Sequence, residues 1–273
     1  MDTTLLSCRA MRGRKEVSPM PDGNTILSVA KAMELLQLLN TVGEPMTLTA
    51  LSARSGLPKS TVFGLLTTMR EYDVVAQRSD GKYALGLRLF EYGCRVSSSW
   101  NGSAVARPYM EHLAAAVNAS AMLSICESGH VVTLDQVEGR GDLRIVSNLG
   151  APLPIHCTSQ GKVFLAYMPE SEAASLLART SLTPFTPHTV TDAKTLLAAL
   201  PRIRADGYAV ENGEYKIGLR SISAPVFDRS GALQYTVGVI GMFRSVHSEE
   251  FRQAIEAVVS SGRMISAALG CPK

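Results

Sequence analysis

The chain has 273 residues, 46% of them hydrophobic and 19% charged, with a mean hydropathy of +0.10. That length suits a small module joined to a larger one, each able to bury a core, and no run approaches the roughly 18–20 uninterrupted apolar residues of a membrane span. The formal charge of +3 resides entirely in the first hundred residues, where 12 Lys and Arg stand against 9 Asp and Glu, while from Asn101 onward the count is 15 against 15.

Residues 1–24 carry Arg9, Arg12, Arg14 and Lys15 with no apolar stretch after them. They read as a basic, disordered tail and not as a secretory signal, with Met11 and Met20 as alternative starts. The five cysteines, Cys8, Cys94, Cys126, Cys157 and Cys271, are odd in number and never spaced C-x-x-C. That pattern argues against a disulfide framework or a zinc site and fits a reducing cytoplasm.

Ser28 precedes Val29, Ala32, Met33, Leu36 and Leu39, the spacing of an amphipathic helix with a serine cap. Thr47 can cap a second, short helix carrying Leu48 and Leu51 that stops at Gly56, and Leu57-Pro58 then make a tight turn. A third helix begins near Lys59, with Val62, Leu65, Leu66 and Met69 inward and Lys59, Ser60, Thr61, Phe63 and Thr67 outward or at its start. Runs 74–77 and 82–85 flank Arg78-Ser79-Asp80-Gly81, whose Asp-Gly pair signals a hairpin. Three short helices followed by a hairpin predict a winged helix-turn-helix over 25–86.

A further helix over 86–95 carries Leu87, Leu89, Phe90 and Tyr92, too apolar for a free linker, and its expected neighbour is another subunit. The linker is placed at 87–102, and a helix with Val105, Tyr109, Leu113 and Val117 opens a second domain over 103–273. Strand-like runs at 121–126, 131–137, 143–147, 207–211, 221–227 and 233–242 alternate with helix-like runs at 160–167, 170–178 and 192–206, and a helix over 249–269 closes the chain. Short turns between adjacent strands favour an antiparallel sheet with helices packed on it, so the expected class is α+β.

Several of these segments carry a family resemblance. The run Gly56-Leu57-Pro58-Lys59-Ser60-Thr61-Val62, the Tyr83-Ala84-Leu85-Gly86 that ends the wing, and Pro154-Ile155-His156-Cys157-Thr158-Ser159-Gln160-Gly161-Lys162 together resemble the IclR family of transcription regulators. So does Gly207-Tyr208-Ala209 followed by Glu214 and then Gly218-Leu219-Arg220-Ser221-Ile222-Ser223-Ala224-Pro225-Val226-Phe227-Asp228. The resemblance implies a winged helix-turn-helix, a linker helix used in dimerisation and a GAF-like effector domain. It also implies a homodimer or homotetramer that binds double-stranded operator DNA, with a small-molecule effector, often an organic or aromatic acid.

In a helix-turn-helix the start of the recognition helix meets base edges in the major groove, and its free N–H groups attract phosphate. Lys59, Ser60 and Thr61 occupy that start, while Arg70, Arg78 and Lys82 read as phosphate or minor-groove contacts. Similar proteins commonly carry an arginine where this chain has Gly64. Either the glycine lets the backbone approach DNA closely, or sequence reading shifts to Phe63 and Thr67.

By similarity to family members that bind small acids, Ser159 and Gln160 offer main-chain amides at a helix start. Ser221 then lies opposite, Glu211 sits where an aspartate often lies, and Ile145 and Leu153 line the apolar side. Two pocket serines of small-hydroxyacid binders correspond here to Gly238 and Ile240, which implies lost hydroxyls, space gained at Gly238, and an effector with one acidic end and an apolar, aromatic body. His156 and Cys157 are neighbours on an extended segment and point to opposite faces, an arrangement poorly suited to a nucleophile and its base. Lys162 reads as a structural or interface lysine, and His112, His130, His188 and His247 are too scattered for a metal set. No catalytic residue, metal or cofactor is expected. The rival readings are an enzyme acting on a small acid with an attached DNA-binding module, and an architectural DNA-binding protein with no ligand.

Overall fold

The computed structural model describes residues 25–99, 102–139 and 149–271. The expected basic tail, the strand at 143–147 and Ile145 lie outside the described residues. The chain divides into two compact units, with the boundary between Ser99 and Trp100.

In the first unit, α1 (Leu27–Val42), α2 (Leu48–Ser55) and α3 (Lys59–Glu71) precede a hairpin of β1 (Val75–Gln77) and β2 (Tyr83–Leu85), and α4 (Leu87–Ser99) follows. Thr47 caps α2 by accepting the Ala50 N–H at 3.2 Å, and Gly56 ends it at φ 71°, as the sequence predicts. Met46 exchanges both backbone hydrogen bonds with Tyr83 at 2.8 Å, tying the hairpin to the α1–α2 connection. The core gathers Leu35, Leu39, Leu51, Val62, Leu66 and Val75, joined by Met46, Met69 and Tyr83.

Two details of α1 differ from expectation. Ser28 lies inside the helix, which starts from an Ile26 cap with no side-chain hydrogen bond. The buried stripe is Leu35 and Leu39, whereas Val29 and Met33 are exposed. This helix is apolar around most of its circumference, so periodicity alone could not select the face that meets α2 and α3. The last helix also runs beyond the expected Arg95, to Ser99.

The second unit opens with α5 (Gly102–Val117) and contains β3 (Ser120–Glu127), β4 (His130–Val137), β5 (Pro152–Pro154), α6 (Ser159–Tyr167), α7 (Glu170–Arg179), α8 (Ala193–Asp206), β6 (Ala209–Asn212), β7 (Arg220–Phe227), β8 (Leu233–Gly241) and α9 (Glu249–Ala268). The strands form a six-stranded sheet of order β5-β4-β3-β8-β7-β6, antiparallel throughout. The short β5, which the sequence reading missed, begins and ends in proline and occupies an edge, the place where a missing N–H is tolerated.

Strand alternation separates two layers. Ala121, Leu123 and Ile125 of β3, Ile222, Ala224 and Val226 of β7, and Val237 and Val239 of β8 face the core shared with α5 and α9. Their alternates, Ser120, Met122, Ser124, Ser221, Ser223, Thr236, Gly238 and Ile240, face the other side, where α6 packs with α7 and α8 behind it. One face of the sheet is thus aliphatic and the other rich in hydroxyls. Among the described residues no helix is long and apolar enough to cross a membrane.

Candidate DNA interface and effector site

The start of α3 differs from that of α2 in one respect that bears on DNA. Its N-cap is Pro58, which has no side-chain acceptor, and the first N–H used within the helix is that of Val62, donated to Pro58 O at 3.0 Å. The N–H groups of Lys59, Ser60 and Thr61 therefore lack a capping partner among the described residues and sit at the positive end of the helix dipole. Ser52 Oγ donates to Leu57 O at 2.7 Å, and Ser55 Oγ accepts the Leu57 N–H at 3.3 Å, so the turn that presents this end is fixed by side chains. Lys59, Ser60 and Phe63 are exposed, and Thr61 and Thr67 are half-buried.

The cations expected to touch DNA divide into two groups. Arg70 Nη1 donates to Gln77 Oε1 at 2.6 Å, and Gln77 Nε2 donates to Gly81 O at 3.3 Å, so Arg70 braces the wing against α3. Lys82 pairs with Asp80 across 3.3 Å in the wing turn. Lys59 and Arg78 remain without an ion-pair partner among the described residues. This bracing was not legible in sequence, because it joins residues seven apart across a helix–strand junction.

A Cβ built at Gly64 meets nothing within 4 Å. Gly64→Ala is therefore expected to stabilise the module by up to about 1 kcal/mol, the helix-propensity difference between the two residues, as read by urea denaturation. Its operator affinity separates the two readings of this glycine. A loss means that the backbone approaches DNA, and no change means that Phe63 and Thr67 do the reading.

In the second unit Thr158 caps α6 by accepting the Gly161 N–H at 3.2 Å, and the Lys162 N–H goes to Thr158 O. The N–H groups of Ser159 and Gln160 are left at the helix start with no partner among the described residues. Ser159 Oγ lies 2.9 Å from Ser221 Oγ and 2.8 Å from Ser223 Oγ, and Ser221 donates to Glu211 Oε2 at 3.1 Å. Each hydroxyl has one proton, so the direction of donation is Ser223 to Ser159 to Ser221 to Glu211, a polarised chain that ends on a carboxylate. The other oxygen of Glu211 accepts the N–H groups of Glu214 at 2.6 Å and Tyr215 at 3.1 Å. All four side chains are buried.

Burial raises the Glu211 carboxyl above the usual glutamate range, and the nearby Glu214 adds to this against the hydrogen bonds it accepts. A folded-state value above the unfolded one means that ionised Glu211 weakens the fold as pH rises past the ordinary glutamate range. Glu211→Gln is expected to be at least as stable as the parent at pH 7, with the difference vanishing on acidification below that range. Denaturant midpoints at neutral and acidic pH would test this. Beside it, Lys162 Nζ donates to Glu214 Oε1 at 2.5 Å and to Val210 O at 3.2 Å, which ties α6 to β6 and to the turn after it.

His156 and Cys157 lie buried between β5 and α6. Burial pushes the Cys157 thiol up to about 12 and lowers His156, whose Nε2 lies 3.1 Å from Thr183 O. Both are thus held neutral at physiological pH. Among the described residues no group of His, Cys, Asp and Glu is gathered to hold a metal ion.

With this geometry, residues 28–79 match the IclR helix-turn-helix domain and residues 94–267 match the bacterial transcriptional regulator IclR C-terminal domain. This chain belongs to the IclR family. The HTH-type transcriptional regulator XynR of Escherichia coli (strain K12) is 30% identical over 248 residues, covering 90% of this chain and 98% of XynR. A crystal structure of an IclR transcriptional regulator from Alicyclobacillus acidocaldarius aligns with a TM-score of 0.77 at 28% identity, covering 90% of this chain and 100% of that one. An IclR homologue of Microbacterium hydrocarbonoxydans, crystallised with 4-hydroxybenzoate, shares the fold with a TM-score of 0.77 at 24% identity, covering 89% and 98%.

Within this IclR-type effector domain, Ser159, Ser221 and Glu211 are brought together, Leu153 of β5 lies beside Val131, and Gln160 is buried with Nε2 4.0 Å from Met122 Sδ. The expectation of space at Gly238 is corrected. A Cβ there would stand 2.3 Å from both Ser223 Oγ and Ile222 O, so the room is already taken. Gly238 pairs across the ladder with Ser223, and Ile240 with Ser221. Hydroxyls missing from β8 are thus supplied by the facing positions of β7. Ser223 was overlooked, although Ser221-Ile222-Ser223 in a strand places both serines on one face.

Proposed function

We propose that this IclR-family chain is a cytoplasmic, homo-oligomeric regulator that releases or engages its operator in response to a small organic acid. The start of α3 carries this reading: an uncapped, exposed helix end presented beside a braced wing. Lys59, Ser60 and Thr61 meet phosphates and base edges in the major groove, Phe63 and Thr67 extend that reading, and Arg78 contacts the backbone. Subunits pair through α4, whose Leu87, Phe90 and Tyr92 are exposed in the single chain. The effector's carboxylate is received by the N–H groups of Ser159 and Gln160, opposite the Ser221–Glu211 arm.

The protein is not an enzyme in this reading, because the thiol and imidazole of neighbouring Cys157 and His156 are buried and held neutral. Effector and operator affinities are coupled by about 1–3 kcal/mol, the typical size of such linkage. An electrophoretic shift with DNA flanking the protein's own gene, repeated across a panel of organic acids, tests the proposal. A retarded band that one acid shifts is expected. Failure to retard that DNA in dilute salt, or conversion of an acid to product by the pure protein, would overturn it.

A further inference from the structure

Three hydroxyls lie in one row across the α6-facing side of the sheet: Thr133 on β4, Ser124 on β3 and Thr236 on β8, linked by the register pairs Ser124↔Thr133 and Ser124↔Thr236. Each residue is at most 1% exposed. None of the three oxygens has a hydrogen-bond partner among the described residues. Buried polar groups are almost always paired, and leaving one unpaired is costly. Valine has the shape of threonine and would remove that cost at 133 and 236, so packing alone does not explain this row.

The row continues the polar cluster already described. Thr236 is two residues from Gly238 along β8, and Gly238 pairs with Ser223, so the two levels stand about 7 Å apart on one face of the sheet. Met122, paired with Gly238 and touched by Gln160, stands in the Gly238–Ser223 level directly beside the row. An unbranched thioether is the side chain best able to re-pack around a guest.

We propose that Thr133, Ser124 and Thr236 form a second polar subsite of the effector site, and that the effector is a hydroxylated organic acid. Its carboxylate lies at the start of α6 and its far end places hydroxyl groups on the row. The proposal rests on the regulator reading above. A hydroxyl both donates and accepts, as a ligand hydroxyl does, so the row satisfies such a ligand, whereas a bare ring or alkyl chain leaves all three oxygens unpaired and is rejected. A phenolic acid and a polyhydroxylated aliphatic acid both supply this chemistry.

Titration calorimetry on the full-length protein with two matched pairs, 4-hydroxybenzoate against benzoate and gluconate against hexanoate, tests the subsite and distinguishes the two sources. At least one hydroxylated acid is expected to bind about tenfold or more tightly than its partner. In Thr236→Val and Ser124→Ala that advantage should shrink to about threefold or less, while the unhydroxylated partner binds as before. Ligand-free Thr236→Val and Thr133→Val should melt no lower than the parent, which a row engaged only in internal structure would not allow. Absence of binding by both hydroxylated acids, equal affinities within both pairs, or a preference that survives the substitutions would overturn the subsite. Operator binding measured in parallel keeps the two readings apart: retained DNA binding without a hydroxyl preference refutes the subsite alone, and lost DNA binding in the unmodified protein refutes the regulator.

Discussion

Ser60→Glu is expected to abolish operator binding while leaving the winged module as stable as before or slightly more so. Ser60 is exposed in the first turn of α3, where three N–H groups have no capping acceptor among the described residues. A carboxylate there complements the helix dipole and adds about 0.3–1 kcal/mol to the fold. In the proposed complex the same carboxylate would face the DNA backbone, where juxtaposed like charges cost several kcal/mol, so affinity should fall at least about a hundredfold. Fluorescence anisotropy with operator DNA and urea denaturation of the same sample would show the two effects moving in opposite directions. Binding retained within about threefold would mean that this helix end does not meet DNA. Ser60→Ala, which removes one hydroxyl and adds no charge, should weaken binding far less.

What the sequence disclosed about this protein follows the range over which each signal acts. The winged module was legible because its punctuation is local: Thr47 capping α2, Gly56 in the left-handed region, Pro58 before α3 and Asp80-Gly81 in the wing. Of the hydroxyl-lined face of the second unit, only Ser159 and Ser221 were read, although Ser221 and Ser223 alternate within one strand. What escaped detection depends on partners distant in sequence. Gly238 looked like an opening when considered alone, yet its reason lies across the ladder in the hydroxyl of Ser223. Arg70 looked like a phosphate contact, yet it is engaged by Gln77 of the wing. The row of Thr133, Ser124 and Thr236 exists only once three strands are in register.

Gly161→Ala is expected to destabilise the effector domain by about 1–3 kcal/mol, the range for forcing an extra methyl into a tightly packed site. In an exposed helix interior the same exchange adds up to about 1 kcal/mol, as expected for Gly64. At Gly161 the added Cβ would lie 2.1 Å from Ile155 O and 2.6 Å from both Ile155 C and Cα. Every one of those atoms is backbone, so no rotamer change can relieve the overlap, and the first turn of α6 must lift away from the segment before it. That movement strains the Thr158 cap, whose donor is the Gly161 N–H itself, and draws Ser159 away from Ser221 and Ser223. Stability and effector response should therefore fall together in this variant, while operator binding by the separate N-terminal unit persists. Two glycine-to-alanine exchanges in helices of one chain are thus expected to have opposite signs. A Gly161→Ala protein more stable than its parent would show that α6 does not press this closely on Ile155, and the serine cluster would lose the contact that fixes it.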